Sequence, residues 1–162
     1  MIAAPSRLLL DSNVWIDLFA SDRPGRENAQ ALVSWAVDRE VDLLYAAISI
    51  KDVYYLLEER EKRRMRAAGK EITPASAAAI NEYAWGCIRA MEEIATVVPV
   101  DQSDIWIATK YRSFHGDFED NLLLAAVERS KADFLVTSDE ILLRHAPVAT
   151  VVPGDLLKLV TA

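Results

Sequence analysis

Cysteine is nearly missing from this sequence. Cys87 stands alone, which excludes an internal disulfide and a cysteine-rich zinc site. Long apolar runs are missing too: none approaches the ~18 residues of a membrane-spanning helix, so no membrane partner is expected. The opening residues lack the basic start and apolar stretch of a signal peptide, and a cytoplasmic protein is the expectation. There is no internal repeat, low-complexity tract or interdomain linker. Positive charge is not in excess either: 18 Lys and Arg stand against 25 Asp and Glu, a net charge of −7. That balance argues against a protein that coats nucleic acid non-specifically. It does not exclude a nuclease, whose metal-binding carboxylates contribute several of those charges themselves.

At 162 residues, 52% apolar and 27% charged, the chain reads as one globular domain spanning residues 1–162. Leu8-Leu9-Leu10, uninterrupted by a polar residue, predicts a strand buried on both faces, as in the middle of a parallel sheet. It stops at Asp11. Ser12 or Asn13 then offers a helix cap, with Val14 and Leu18 on the inner face. A second helix is expected from about Asn28 to Arg39, and a second strand over residues 41–46. Val53, Leu56 and Leu57 begin a helical face that turns highly charged over residues 58–70. Thr73, with Pro74 at the first helical position, caps the next helix, which reaches about Glu93. Residues 95–100 read as a third strand, ended or placed at an edge by Pro99. A capping box at Asp101 and Asp104 opens another helix, and one more begins at Asp117. Phe134–Thr137 and Thr150–Val152 complete a set of about five strands, followed by a terminal helix. Alternation of this kind predicts an α/β fold, a parallel sheet covered by helices on both sides.

Asp11, Asp52, Asp120 and Asp139 occupy equivalent places in that scheme, three of them on or just after strand-to-helix turns and Asp120 in the first turn of the helix that feeds the fourth strand. Each has a structural reading: Ser49 with Asp52, and Asp117 with Asp120, fit capping boxes, and Ser138 offers a cap beside Asp139. Together they are more than caps. A parallel sheet brings such turns to one edge, where gathered carboxylates repel unless divalent cations neutralise them. Oxygen ligands without a cysteine or a well-placed histidine suit Mg²⁺ or Mn²⁺ rather than zinc.

Leu9-Leu10-Asp11-Ser12-Asn13-Val14-Trp15-Ile16-Asp17, Ile48-Ser49-Ile50-Lys51-Asp52-Val53, Asp117-Phe118-Glu119-Asp120-Asn121-Leu122 and Leu135-Val136-Thr137-Ser138-Asp139 together resemble the PIN domain. They do so in this order, over nearly the whole chain, from about Arg7 to Pro153. PIN domains are metal-dependent ribonucleases, and many small bacterial ones are VapC-type toxins of toxin–antitoxin pairs. The resemblance implies a three-layer α/β/α sandwich with strand order 3-2-1-4-5. It places the catalytic, metal-binding acids at Asp11, Asp52, Asp120 and Asp139, holding one or two Mg²⁺ or Mn²⁺ ions, with Asp117 a further candidate. It implies in-line attack of an activated water on an RNA phosphodiester, leaving 5′-phosphate and 3′-hydroxyl ends. Ser12, Asn13 and Thr137 would orient the metal's waters. An RNA substrate, a small antitoxin and a homodimer are the implied partners. Two departures stand out. Asp52 occupies a position often held by Glu, and Asp117, Glu119 and Asp120 compete for the third acid. Asp120 is favoured by the apolar run Leu123–Ala126 that follows it.

Lys62, Arg63, Arg64 and Arg66 could grip RNA phosphates, or form a solvated helix face laced with glutamates. His115 and His145 read as surface or loop residues, and Trp15, Trp35, Trp85 and Trp106 as packing residues, with Trp85 also placed to meet a partner protein. Two rival functions fit the pattern less well. A phosphoryl-transfer domain of the haloacid-dehalogenase or receiver type would use Asp11 as nucleophile. The first wants another acid where Asn13 stands; the second wants an acidic pair and a late lysine that cannot be placed. A catalytically silent interaction module on the PIN fold would have no need for four acids.

Overall fold

The computed structural model describes residues 4–161. The ends of the expected 1–162 domain, and the first residues read for a signal peptide, lie outside the described residues. β1 (Arg7–Leu10) runs through the middle of one five-stranded parallel sheet of order β3-β2-β1-β4-β5. Its neighbours are β2 (Asp42–Ala46) and β4 (Phe134–Val136), and the edges are β3 (Thr96–Val98) and β5 (Thr150–Val151). Leu9 sits opposite Leu44 on one side and Leu135 on the other. β3 is shorter than the expected strand and stops before Pro99, at an edge where a missing N–H is tolerated.

All three leucines of β1 are fully buried, and successive side chains point to opposite faces. Leu8 and Leu10 enter a core with Val14, Trp15, Leu32, Val53, Leu57, Met91 and Leu156. Those residues belong to α1 (Ser12–Phe19), α2 (Arg26–Asp38), α3 (Ser49–Ala67), α4 (Pro74–Ile94) and α8 (Pro153–Thr161). Leu9 enters a second core with Leu135 of β4 and with Leu124, Val127 and Leu142, from α6 (Phe118–Ser130) and α7 (Glu140–His145). α5 (Gln102–Tyr111) packs beside α6. The result is the expected sandwich of helices, sheet and helices.

Several caps differ from expectation. Asp11 itself caps α1, accepting from Ser12 N, so neither Ser12 nor Asn13 does. No side chain caps α3, and the expected box of Ser49 with Asp52 does not form. Asp139, not Ser138, caps α7. The extended cap position falls one residue before Ser12 in α1 and one residue after Ser138 in α7, and the chain enters α3 already in helical geometry at Ile48. The boxes at Thr73 and at Asp101 with Asp104 are present. Trp106 does not pack: it is 67% exposed, with Lys110 Nζ 4.1 Å from its ring centre.

Candidate active site

The chain departs from β1 toward β2 on one side, and β4 later pairs on the other. The carboxyl ends of β1 and β4 therefore flank the switch point where open α/β sheets place their ligands. Asp11 prolongs β1 by one ladder bond, its N–H donating to Val136 O at 3.0 Å. It is only 7% exposed and held by several donors. Thr137 Oγ1 and Asn13 Nδ2 donate to Oδ2 at 2.7 and 2.8 Å, and Ser12 N donates to Oδ1 at 2.6 Å. With both oxygens engaged, the Asp11 carboxylate is anchored rather than free to act as a nucleophile. Thr137 Oγ1 also accepts from Asp139 N at 3.0 Å, while Ser138 N donates to Asn13 Oδ1 at 3.1 Å. Thr137 and Asn13 thus lock the two strand-end turns together.

Asp11, Ser12, Ser49, Asp52, Asp117, Glu119 and Asp120 line one cavity of about 210 Å³, floored by Ile48 and Leu123. Asp52 comes from the first turn of α3, Glu119 and Asp120 from the first turn of α6, and Asp117 is the α6 cap. Asp117 Oδ1 accepts from Glu119 N and Asp120 N at 2.9 and 3.0 Å, which leaves its other oxygen outside the cap. Asp139 is not among the lining residues. Its Oδ1 caps α7 at 2.7 Å from Ile141 N, yet its charge reaches Asp120.

Burial raises the Asp11 carboxyl above its ordinary range, against the hydrogen bonds from Thr137 and Ser12, and the Asp120 charge adds to the rise. Burial also raises Asp52, with a contribution from Glu119 that Lys51 opposes. Asp120 is raised by burial, with the Asp117 and Asp139 charges adding to the rise and the His115 bond opposing it. Carboxylates that resist ionising beside one another are complementary to a cation. Among the described residues, no three acids close into a ready-made metal cage. The cavity's charged donors are carboxylate oxygens, a set that suits an oxygen-seeking ion such as Mg²⁺, which keeps several waters and takes few direct carboxylates.

The sequence reading missed two side chains here. His115 Nε2 lies 2.6 Å from Asp120 Oδ2, in a loop position that apolar periodicity does not mark. Lys51 Nζ bridges Glu119 at 2.8 Å and Asp52 at 3.7 Å, joining α3 to α6 across the cavity. The basic segment is largely neutralised: Lys62 pairs with Glu58 at 3.1 Å, Arg64 with Glu61 at 2.8 Å and Arg66 with Glu59 at 3.7 Å. His145 ends α7 and lies outside the cavity.

An α/β/α sandwich with acids converging at the carboxyl edge of its central strands defines the class. The chain belongs to the PIN domain family, whose model matches residues 7–140. No curated protein matches it in sequence. Its fold is similar to VapBC2 from Rickettsia felis, solved bound to a DNA fragment from its promoter. The TM-score is 0.64 at 9% identity, covering 90% of this chain and 97% of the other. It is also similar to VapC20 from Mycobacterium tuberculosis, described as a sarcin–ricin loop cleaving toxin. There the TM-score is 0.60 at 13% identity, covering 83% of this chain and 92% of the other.

Proposed function

We propose that this protein is a divalent-metal-dependent endoribonuclease acting as the toxin of a toxin–antitoxin pair. The observation that carries the reading is the convergence of Asp11, Asp52, Asp117, Glu119 and Asp120 on one cavity at the sheet's switch point. Asp11, Asp52, Asp120 and Asp139 would hold Mg²⁺ or Mn²⁺, directly or through water, with Asp117 as a further ligand. The bound ion would supply an acidified water and a counter-charge for the phosphate in the transition state. The chain's own residues do the positioning. Thr137 and Asn13 fix the Asp11 carboxylate, and His115 fixes Asp120. Lys51 ties Asp52 to the α6 side of the cavity. Ser12, at the cavity wall with its hydroxyl donating to Asp11 Oδ1 at 3.3 Å, would orient water there. The domain extends over residues 1–162. A small antitoxin protein and a second copy of the chain are the proposed partners, and no helix among the described residues is long and apolar enough to cross a membrane.

The test is incubation with RNA in Mn²⁺ and in chelator. Cleavage in Mn²⁺ alone, lost in Asp11→Asn and in Asp139→Asn with the circular dichroism spectrum retained, is expected. Asn keeps an oxygen for each helix cap and removes the charge; at Asp11 it also replaces the oxygen that accepts from Thr137 and Asn13, which is why retention of the fold is checked alongside. Wild-type cleavage by either variant would remove that residue from the site, and cleavage in chelator would overturn metal dependence.

A further inference from the structure

The acid cavity has a basic neighbour. Ser12 lines both it and a second notch of about 260 Å³, whose other walls are Asn13, Ile16, Arg23, Leu56, Arg60 and Arg63. Two of the arginines are held in place. Arg23 Nε lies 2.5 Å from Oδ1 of Asp17, a carboxylate that is itself buried. The turn is built around that pair: a Cβ at Gly25 would stand 2.0 Å from Asp17 Oδ2. Arg60 is fixed by Asp22 at 2.6 and 2.9 Å. Arg63 is different. Its neighbours Lys62 and Arg64 are both paired, whereas among the described residues Arg63 makes no ion pair or hydrogen bond.

Asp52, Leu56, Arg60 and Arg63 follow one another at helical spacing along one stripe of α3. At the rise of an α-helix, Arg60 and Arg63 stand about 12 and about 16 Å along the axis from Asp52. Helical side chains lean toward the N-terminus, so both guanidiniums reach back toward the acids. A polyanion approaching this acidic cavity, on a chain of net charge −7, meets repulsion that only flanking cations offset. The notch lies below the size of a drug-sized pocket and combines a basic rim with an apolar floor at Ile16 and Leu56. That pairing suits a single nucleotide, with phosphate and sugar on opposite sides.

We propose that this notch binds the nucleotide next to the scissile phosphate of a single-stranded RNA. Arg63, with Arg60 and Arg23 behind it, takes the phosphate, and the ribose lies on Leu56 and Ile16. The inference rests on the ribonuclease reading above, and the test separates the two.

Asp11→Asn provides a cleavage-free background, in Mg²⁺, for binding a short labelled single-stranded RNA. Adding Arg63→Ala weakens binding about three- to fivefold. It also flattens the slope of log affinity against log salt by about 0.7. Arg63→Lys keeps most of that slope, and Lys158→Ala, the same loss of charge on α8, changes neither quantity. In otherwise wild-type protein with Mn²⁺, Arg63→Ala raises KM and spares kcat. If wild type cleaves RNA and Arg63→Ala is indistinguishable from it in both assays, the subsite is overturned and the ribonuclease reading stands. If no RNA is cleaved but binding still depends on Arg63, the notch stands as a single-stranded RNA site, its placement beside a scissile phosphate is overturned, and the ribonuclease reading falls. Equal losses in Arg63→Ala and Lys158→Ala, or no RNA binding at all in the background protein, overturn the subsite.

Discussion

His115 Nε2 and Asp120 Oδ2 are hydrogen-bonded at 2.6 Å, and Asn121 Nδ2 holds the His115 carbonyl at 2.8 Å. The histidine is therefore fixed by the same first turn of α6 whose carboxylate it orients. Fixing a carboxylate before a metal arrives removes part of the entropy that the ligand would otherwise lose on binding.

His115→Ala should accordingly raise the Mn²⁺ concentration for half-maximal activity by about 10- to 100-fold, the usual cost of losing such a partner. A Mn²⁺ titration of cleavage measures it. An unchanged midpoint would reduce His115 to loop packing.

Asp120→Asn separates stability from function. Burial and the charges of Asp117 and Asp139 together outweigh the His115 bond, so the ionised Asp120 carboxylate costs the metal-free fold stability. Asp120→Asn should melt at or above wild type in chelator while being inactive. Excess Mg²⁺ should reverse the order, because at ~100 times the dissociation constant the wild type gains about 2.7 kcal/mol. For a chain of this length that is a shift of about 5–10 °C. A variant that melts well below wild type in chelator and responds equally to metal would make Asp120 a structural residue.

Asp104 works in the fold. Its carboxylate is buried, accepts from Asp101 N at 2.7 Å and pairs with Arg129, which also binds Asp101 at 2.9 Å and Pro99 O at 3.1 Å. This ties the start of α5 to α6. Asp104→Asn can keep the oxygen that Asp101 N and Arg129 share but removes the buried charge opposite Arg129, costing about 1–3 kcal/mol. The melting temperature should fall by about 3–10 °C with activity per folded molecule unchanged. Complete inactivation of a folded variant would move Asp104 into the site.

Asp133 sets the acid limit of the β1–β4 pairing. Its Oδ2 accepts from Arg7 N at 2.9 Å and from Ser6 N at 2.7 Å, which hold the carboxyl below its ordinary range. A value lower in the folded than in the unfolded chain adds stability above the unfolded value of about 3.9. That stability is lost as pH falls through the folded value. Asp133→Asn should therefore be less stable than wild type at neutral pH, by about 1 kcal/mol given its exposure to solvent. Urea melts at falling pH should show the gap closing below about pH 4. A gap independent of pH would mean that shape, not charge, makes the contact.

The sheet was legible because burial has a period. Leu8–Leu10 could only be a strand covered on both faces, and the alternation with helical stretches left few topologies. Most of the acids were legible for a related reason: Asp120 follows the α5–α6 turn and lies outside the rule, but a parallel sheet puts every strand-to-helix turn at one edge, so Asp11, Asp52 and Asp139 could be grouped from their places in the chain. Their partners could not. The bond of Thr137 to Asp11 spans 126 residues and exists only because β4 crosses back beside β1. His115 beside Asp120, Lys51 between Asp52 and Glu119, and Arg63 without a partner among the described residues depend on the angles at which helices and loops settle on the sheet. Periodic burial is written residue by residue along the chain. A hydrogen bond is decided at ~3 Å, a precision that only the packing of whole elements supplies.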